Sequence, residues 1–252
     1  MPDLGGVAAR LRYELGNGWR LLSSPWLERR VSVDECRSLF AASFGRNGWH
    51  HIRATLREFD ANPAIGYRDT SLYAFLTTFV PTSISDFADT DGDVPLPLFV
   101  YPWGTFRKGE AATTKDPRTS RFCGPSTDQF VAEEFDRIIE MYKQLKSVGY
   151  RPYQYPHSFI GGTWLEASDG RRRFVVLQGN HRLAVLAHLG LEQIAVRPLR
   201  GWLSAVREMD IDDWMLVKSR RCSRVHARSI FNLFFHSDGS HLARVVPTAS
   251  GL

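Results

Sequence analysis

Cysteine is scarce in this chain: Cys36, Cys123 and Cys222 are the three among 252 residues, far apart and odd in number. No Cys-x-x-Cys pair occurs, which argues against the disulfide framework of a secreted domain. Long apolar runs are also missing. No stretch approaches the roughly 18 uninterrupted apolar residues of a membrane span, and no basic segment leads into an apolar run at the N-terminus. A cytoplasmic protein with no membrane partner is therefore expected. There is no internal repeat, and no glycine-rich phosphate loop ending in Gly-Lys-Ser or Gly-Lys-Thr. Asp86, Asp89, Asp91 and Asp93 crowd one loop but lack the late glutamate of a calcium loop, so a solvated acidic loop is expected there.

The apolar fraction of 43% with 23% charged residues suits an ordinary folded domain with a sizeable core. Lysine and arginine exceed aspartate and glutamate by 32 to 27, a formal charge of +5. The excess concentrates in Arg171-Arg172-Arg173 and in Lys218, Arg220, Arg221, Arg224 and Arg228. Either cluster suits a nucleic acid or an anionic membrane; the triple arginine equally reads as a solvated turn after Ser168-Asp169-Gly170.

Patterning predicts a mixed α/β chain. Ser32 or Asp34 is placed to cap a helix running through Phe44, with Cys36, Leu39 and Phe40 inside. His50-His51 suggests a metal, but adjacent side chains on a helix diverge and no ligand sits at i+4, so a metal site is not expected. The polar stretch from Lys108 to Pro125 reads as a lid or substrate loop. Arg121, Ser126 and Thr127 at its end are candidate anion-binding groups, or the serine or threonine is only a helix cap. From Asp128 to about Ser147, Val131, Phe135, Ile138, Tyr142 and Leu145 recur at steps of four and three, predicting an amphipathic helix that stops at Gly149. Ser158–Glu166 and Arg172–Gln178 read as a hairpin around Asp169-Gly170, followed by a helix over His181–His188 and a strand over Ile194–Val196. Leu199–Met209 reads as a further helix, Trp214–Val217 as a short strand or packing segment, and Ala227–Phe235 as a helix docked on the core.

The richest stretch is Phe174-Val-Val-Leu-Gln-Gly-Asn-His-Arg182, which runs into an apolar helix. A buried strand, one glycine and a helix whose first turn is polar and cationic form an arrangement suited to phosphate, because helix-start N–H groups point outward. Gly179 permits a backbone closed to other residues, Asn180 caps the helix or bonds a nucleotide, His181 donates to phosphate, and Arg182 adds a two-pronged contact. On the bland reading, Asn180 only caps the helix while His181 and Arg182 face solvent.

The run Val175–Ala184, then Leu189-Gly190 and Ile194–Val196, resembles the core of the ParB/sulfiredoxin-like superfamily, over roughly residues 158–198. The resemblance implies an α/β (mixed α+β) fold, a ParB/sulfiredoxin-like core with additional helical and loop elements. The implied organisation is an N-terminal extension at 1–104, a phosphate-binding core at 105–198 and a C-terminal helical extension at 199–247. It also implies that Gly179, Asn180, His181 and Arg182 cradle the phosphates of ATP or another nucleoside triphosphate with magnesium. Sulfiredoxins have cysteine directly before His-Arg, where this chain has Asn180, which argues against sulfinic-acid reduction. The family's kinases are the nearer analogy: phosphoryl transfer to a small polar acceptor, with Glu166, His181 and Arg182 as candidate catalytic residues and Arg121 and Ser126 as further phosphate ligands. No residue is assigned to a metal. A nucleic-acid-binding or nuclease-like protein, or a non-catalytic nucleotide-binding module, is the alternative.

Overall fold

A computed structural model describes residues 29–87, 96, 98–106, 122–152, 159–199 and 201–244. Arg121, most of the 108–125 loop, Asp89, Asp91 and Asp93 lie outside the described residues. The described chain is a mixed α/β fold in which helices pack on a curled six-stranded sheet.

The sheet is organised around the predicted hairpin. β3 (Ile160–Glu166) and β4 (Arg172–Gln178) are antiparallel, with Glu166 opposite Arg172 and Gly161 opposite Gln178. β4 carries Phe174, Val175 and Val176 in succession, all fully buried, as a strand covered on both faces requires. Its outer edge is taken by β2 (Cys36–Arg37), which runs parallel to it. The other edge of β3 is shared. β5 (Gln193–Pro198) pairs in parallel with Ile160–Gly162, and β6 (Ala205–Arg207) pairs with Trp164–Glu166. β1 (Arg29–Ser32) closes the far side, antiparallel to β5.

Helices pack on this sheet and on one another. α1 (His51–Ala61) and α2 (Ser71–Thr78) precede α3 (Asp128–Val148), and α4 (Asn180–His188) follows β4 directly. Thr127 caps α3 by accepting the Phe130 N–H at 3.2 Å, and Gly149 at φ +73° ends it. α4 packs against both α1 and α3. Asp60 of α1 ties the three together, accepting from Tyr142 Oη of α3 at 2.7 Å and meeting His188 Nε2 of α4 at 2.7 Å. A short α5 (Met215–Lys218) leads to α6 (Arg224–His236), which packs on β4, and to α7 (Ser240–Ala243). Tyr101, Trp103, Trp214, Phe231 and Phe234 form a buried aromatic cluster beneath α6. A single buried apolar cluster runs from Val31 to Leu242, so strands and helices from all three expected segments share one core.

Three expected elements take other forms. Ser32 does cap a turn, with Glu35 reciprocating, but the turn is a single 3₁₀ turn over Val33–Glu35 rather than a helix through Phe44. Cys36 and Arg37 are drawn into extended pairing with Phe174 and Val175, and Ala41 at φ +58° breaks any helical continuation. Leu199–Met209 is not a helix, because β5 leaves half of one β3 edge open and Ala205–Arg207 fills it before a 3₁₀ segment over Glu208–Asp213. Of the two readings of Trp214–Val217, the strand does not form and the packing segment does: Trp214 and Leu216 are buried in the core, and Met215–Lys218 forms one helical turn, with its entry held by Leu216 N–H to Pro102 O at 2.9 Å.

Candidate functional site

The turn between β4 and α4 brings the Gly-Asn-His-Arg residues together. Gly179 sits at φ +91° and ψ 22°, in the left-handed region, and is itself the helix N-cap. Its carbonyl accepts the Leu183 N–H at 2.8 Å. A Cβ there would lie 2.9 Å from Ile160 Cδ1 on β3, so backbone conformation and space both call for glycine. Asn180 is then the first helical residue and not the cap expected from the sequence. Its Nδ2 donates to Val176 O at 3.3 Å, while its Oδ1 is buried without a hydrogen-bond partner. Arg182 folds back over the turn, with Nη1 3.8 Å from the position a Gly179 Cβ would take. Partial burial lowers its pKa from the ordinary arginine value, with Tyr150 acting in the opposite sense.

His181 is not in solvent. Its Nε2 lies 3.0 Å from Glu134 Oε1, and Glu134 is only 1% exposed on the inner face of α3. Arg137, one turn further along α3, also pairs with Glu134. A carboxylate buried this deeply needs cationic or donor partners, and it fixes the orientation of the imidazole it faces. The arrangement is an imidazole at a helix start, held from behind by an acid and flanked by guanidinium groups.

A small recess of about 20 Å³ opens beside this pair, lined in part by His50, His51, Asn180 and His181. That is room for about one water-sized group. His50 and His51 do not diverge as expected, because His50 is the extended N-cap of α1 (φ −149°, ψ 127°) rather than a helical residue. Its Nδ1 accepts the Ile52 N–H at 3.3 Å. The two rings stack with centroids 4.5 Å apart, and His51 stacks in turn on Phe75 at 4.1 Å. Burial, with His181 and Arg53 adding positive charge, pushes the His50 pKa down to about 3. Burial also drives His51 well below the ordinary histidine value, with His50 and His181 acting in the same sense. Both imidazoles are thus neutral, and His51 Nε2 is buried without a hydrogen-bond partner. No group of three or more His, Cys, Asp or Glu side chains is arranged to hold a metal ion among the described residues.

Glu166, the carboxylate expected at the turn, is elsewhere. It faces Arg172 at the opposite end of the hairpin, whereas Gly179 follows Gln178, the partner of Gly161. Six residues of extended strand separate the two ends, about 20 Å at the usual rise. There Glu166 pairs with Arg172 and Arg207, each at 3.2 Å. Ser126 stands at the entry to α3, its N–H bound to Leu76 O at 2.8 Å, and Thr127 takes the capping role. Glu134 carries a signal in the sequence: it follows Val131 by three and precedes Ile138 by four, which puts an acid on the apolar stripe itself. The capping geometry of His50, which lets the His50 and His51 rings stack, is not visible in residue spacing.

The basic clusters are largely matched by acids. Arg171 pairs with Asp169, Arg172 with Glu166, Lys218 with Asp213, Arg224 with Asp212 and Arg228 with Glu208. Arg173 bonds Phe235 O at 3.3 Å and lies over the Phe235 ring. No described helix is long and apolar enough to cross a membrane.

No protein-family model, curated protein or solved structure matches the chain.

Proposed function

We propose that the Gly179–Arg182 turn is the phosphate cradle of a nucleotide-dependent, phosphotransferase-like enzyme acting on a small polar acceptor, the reading to which the ParB/sulfiredoxin-like resemblance leads. The observation that carries it is the assembly of a left-handed glycine, a helix start, Arg182 and a Glu134-held His181 within one turn. The helix start and Arg182 stabilise phosphate oxygens as charge develops on them. His181, oriented by Glu134, donates to a phosphate oxygen or takes the proton of an acceptor hydroxyl. Glu134 therefore replaces Glu166 as the carboxylate at the site, and it works through His181 because Arg137 and His181 already occupy it.

The turn offers no magnesium site of its own among the described residues, since its carboxylate, Glu134, is committed to these two cations. No step above depends on a metal. The nucleic-acid reading is disfavoured by the acids that offset Arg171, Arg172, Lys218, Arg224 and Arg228.

Isothermal titration with ATP, CTP and GTP, with and without magnesium, tests the proposal. At least one nucleotide should bind saturably, and Arg182→Ala should weaken it by about 1.5–3 kcal/mol, the usual range for a charged hydrogen bond. Absence of binding by the wild-type chain to all three, under both conditions, would refute it.

A further inference from the structure

A second concave site lies at the start of α6, distinct from the Gly179 turn. It is a half-open cavity of about 350 Å³ whose wall includes Arg220, Arg221, Arg224, Cys222, Ser223 and His226. Cavities of roughly 300 Å³ and above take small ligands. The far end of α6 leads through Asp238, whose carbonyl accepts the Trp49 N–H beside His50, so the length of the helix separates this cavity from the Gly179 recess. At about 1.5 Å per residue that is on the order of 20 Å.

The backbone at this cavity is unusual for the residue it carries. α5 ends with Arg220 N–H bonded to Val217 O at 2.9 Å and Arg221 N–H bonded to Leu216 O at 2.8 Å. These are the paired bonds of a helix end whose next residue adopts the left-handed conformation, a position that favours glycine. α4 ends with the same pair of bonds, Gly190 N–H to Ala187 O and Leu191 N–H to Leu186 O, and has glycine there at φ +85°. α5 has Arg220, at φ +59°. A side chain at this position is strained, and here it adds a guanidinium beside two others. Asp212 offsets Arg224 at 3.1 Å, but among the described residues neither Arg220 nor Arg221 meets a carboxylate. The cavity therefore concentrates positive charge in a concave space and keeps an arginine where glycine would be the relaxed choice.

We infer that this cavity is a binding site for a small phosphate-bearing anion with at least two negative charges, held by Arg220 and Arg221 with Arg224 at the rim. Guanidinium forks suit phosphate oxygens, and a half-open bowl of this volume suits a small ligand better than a polymer track. The inference is independent of the nucleotide proposal for the Gly179 turn.

Titration calorimetry of the full chain with inorganic phosphate and with pyrophosphate, against wild type, Arg220→Gly, Arg221→Ala and Arg182→Ala, tests it. Wild type should bind pyrophosphate saturably. Arg220→Gly should lose that binding by tenfold or more while its melting temperature rises by about 2–4 °C, because glycine relieves the left-handed strain. Arg221→Ala should lose it comparably with no such rise, and the component lost in Arg220→Gly should survive in Arg182→Ala. Three results would each overturn the inference: no saturable binding to wild type, unchanged affinity in both Arg220→Gly and Arg221→Ala, or loss of the same component in Arg182→Ala. Arg220-dependent binding of a single-stranded RNA oligomer without phosphate or pyrophosphate binding would overturn it in favour of a nucleic-acid surface.

Discussion

Glu134 shows how much depends on one side chain. Buried on α3 between Val131, Phe135 and Ile138, it is an acid in an apolar stripe, retained beside His181 and Arg137. Glu134→Gln keeps the shape and removes the charge. It should destabilise the fold by about 1–3 kcal/mol, seen as a lower urea midpoint at unchanged slope, and an unaltered midpoint would show that the pair contributes nothing. His50 and His51 give a pH dependence with a definite sign. Their pKa values are lowered in the folded chain, His50 from 6.5 to about 3, so between these values the unfolded chain binds more protons. With respect to His50, stability should be level above pH 6.5 and fall as pH drops from 6.5 towards 3, by up to about 1.4 kcal/mol per pH unit, and His51 acts in the same direction. Urea midpoints measured across that window check it, and the slope should shrink in His50→Phe. The residue types were readable in the sequence, but not which rings stack, because that follows from His50 standing outside the helix it caps.

At the scale of elements, the strand-turn-helix unit was the most legible part of the chain. An unbroken apolar run, one glycine and an apolar helix leave few alternatives, and the described boundaries of β4 and α4 fall within a residue of those read from the pattern. The apolar spacing of Leu199–Met209 allows a helix, while the open edge of β3 that captures Ala205–Arg207 is a property of the assembled sheet. The glycines at the two turns provide a paired test. Gly179 and Gly170 both have positive φ, at +91° and +85°, but a Cβ at Gly170 meets nothing within 4 Å whereas one at Gly179 meets Ile160 Cδ1. Alanine at Gly170 should cost about 1 kcal/mol from the backbone alone. Gly179→Ala should cost more, about 2–3 kcal/mol, and should disturb the site as well. Equal losses by urea denaturation would mean that the approach of β3 to the turn is not tight.

Over the whole molecule, the segments that the sequence suggested as extension, core and extension contribute to one sheet and one apolar cluster. β1 and β2 come from the first, β3 to β5 from the second and β6 from the third. Cooperative unfolding follows, so tryptophan fluorescence and far-ultraviolet circular dichroism should report coincident transitions; separated midpoints would indicate independently folding parts. The same integration places α1, α3 and α4 around the Gly179 turn, supplying His51 and Glu134 from positions more than forty residues distant in the chain. Spacing within a single sequence does not reveal such convergence, whereas the local Gly-Asn-His-Arg box was plain. The most direct test of the nucleotide cradle is amide chemical-shift mapping of the wild-type chain during titration with a nucleoside triphosphate. Saturable shifts should be largest at Gly179 to Leu183 and much reduced in Arg182→Ala. Saturable binding that left those amides unmoved would contradict the assignment of the turn as the phosphate site.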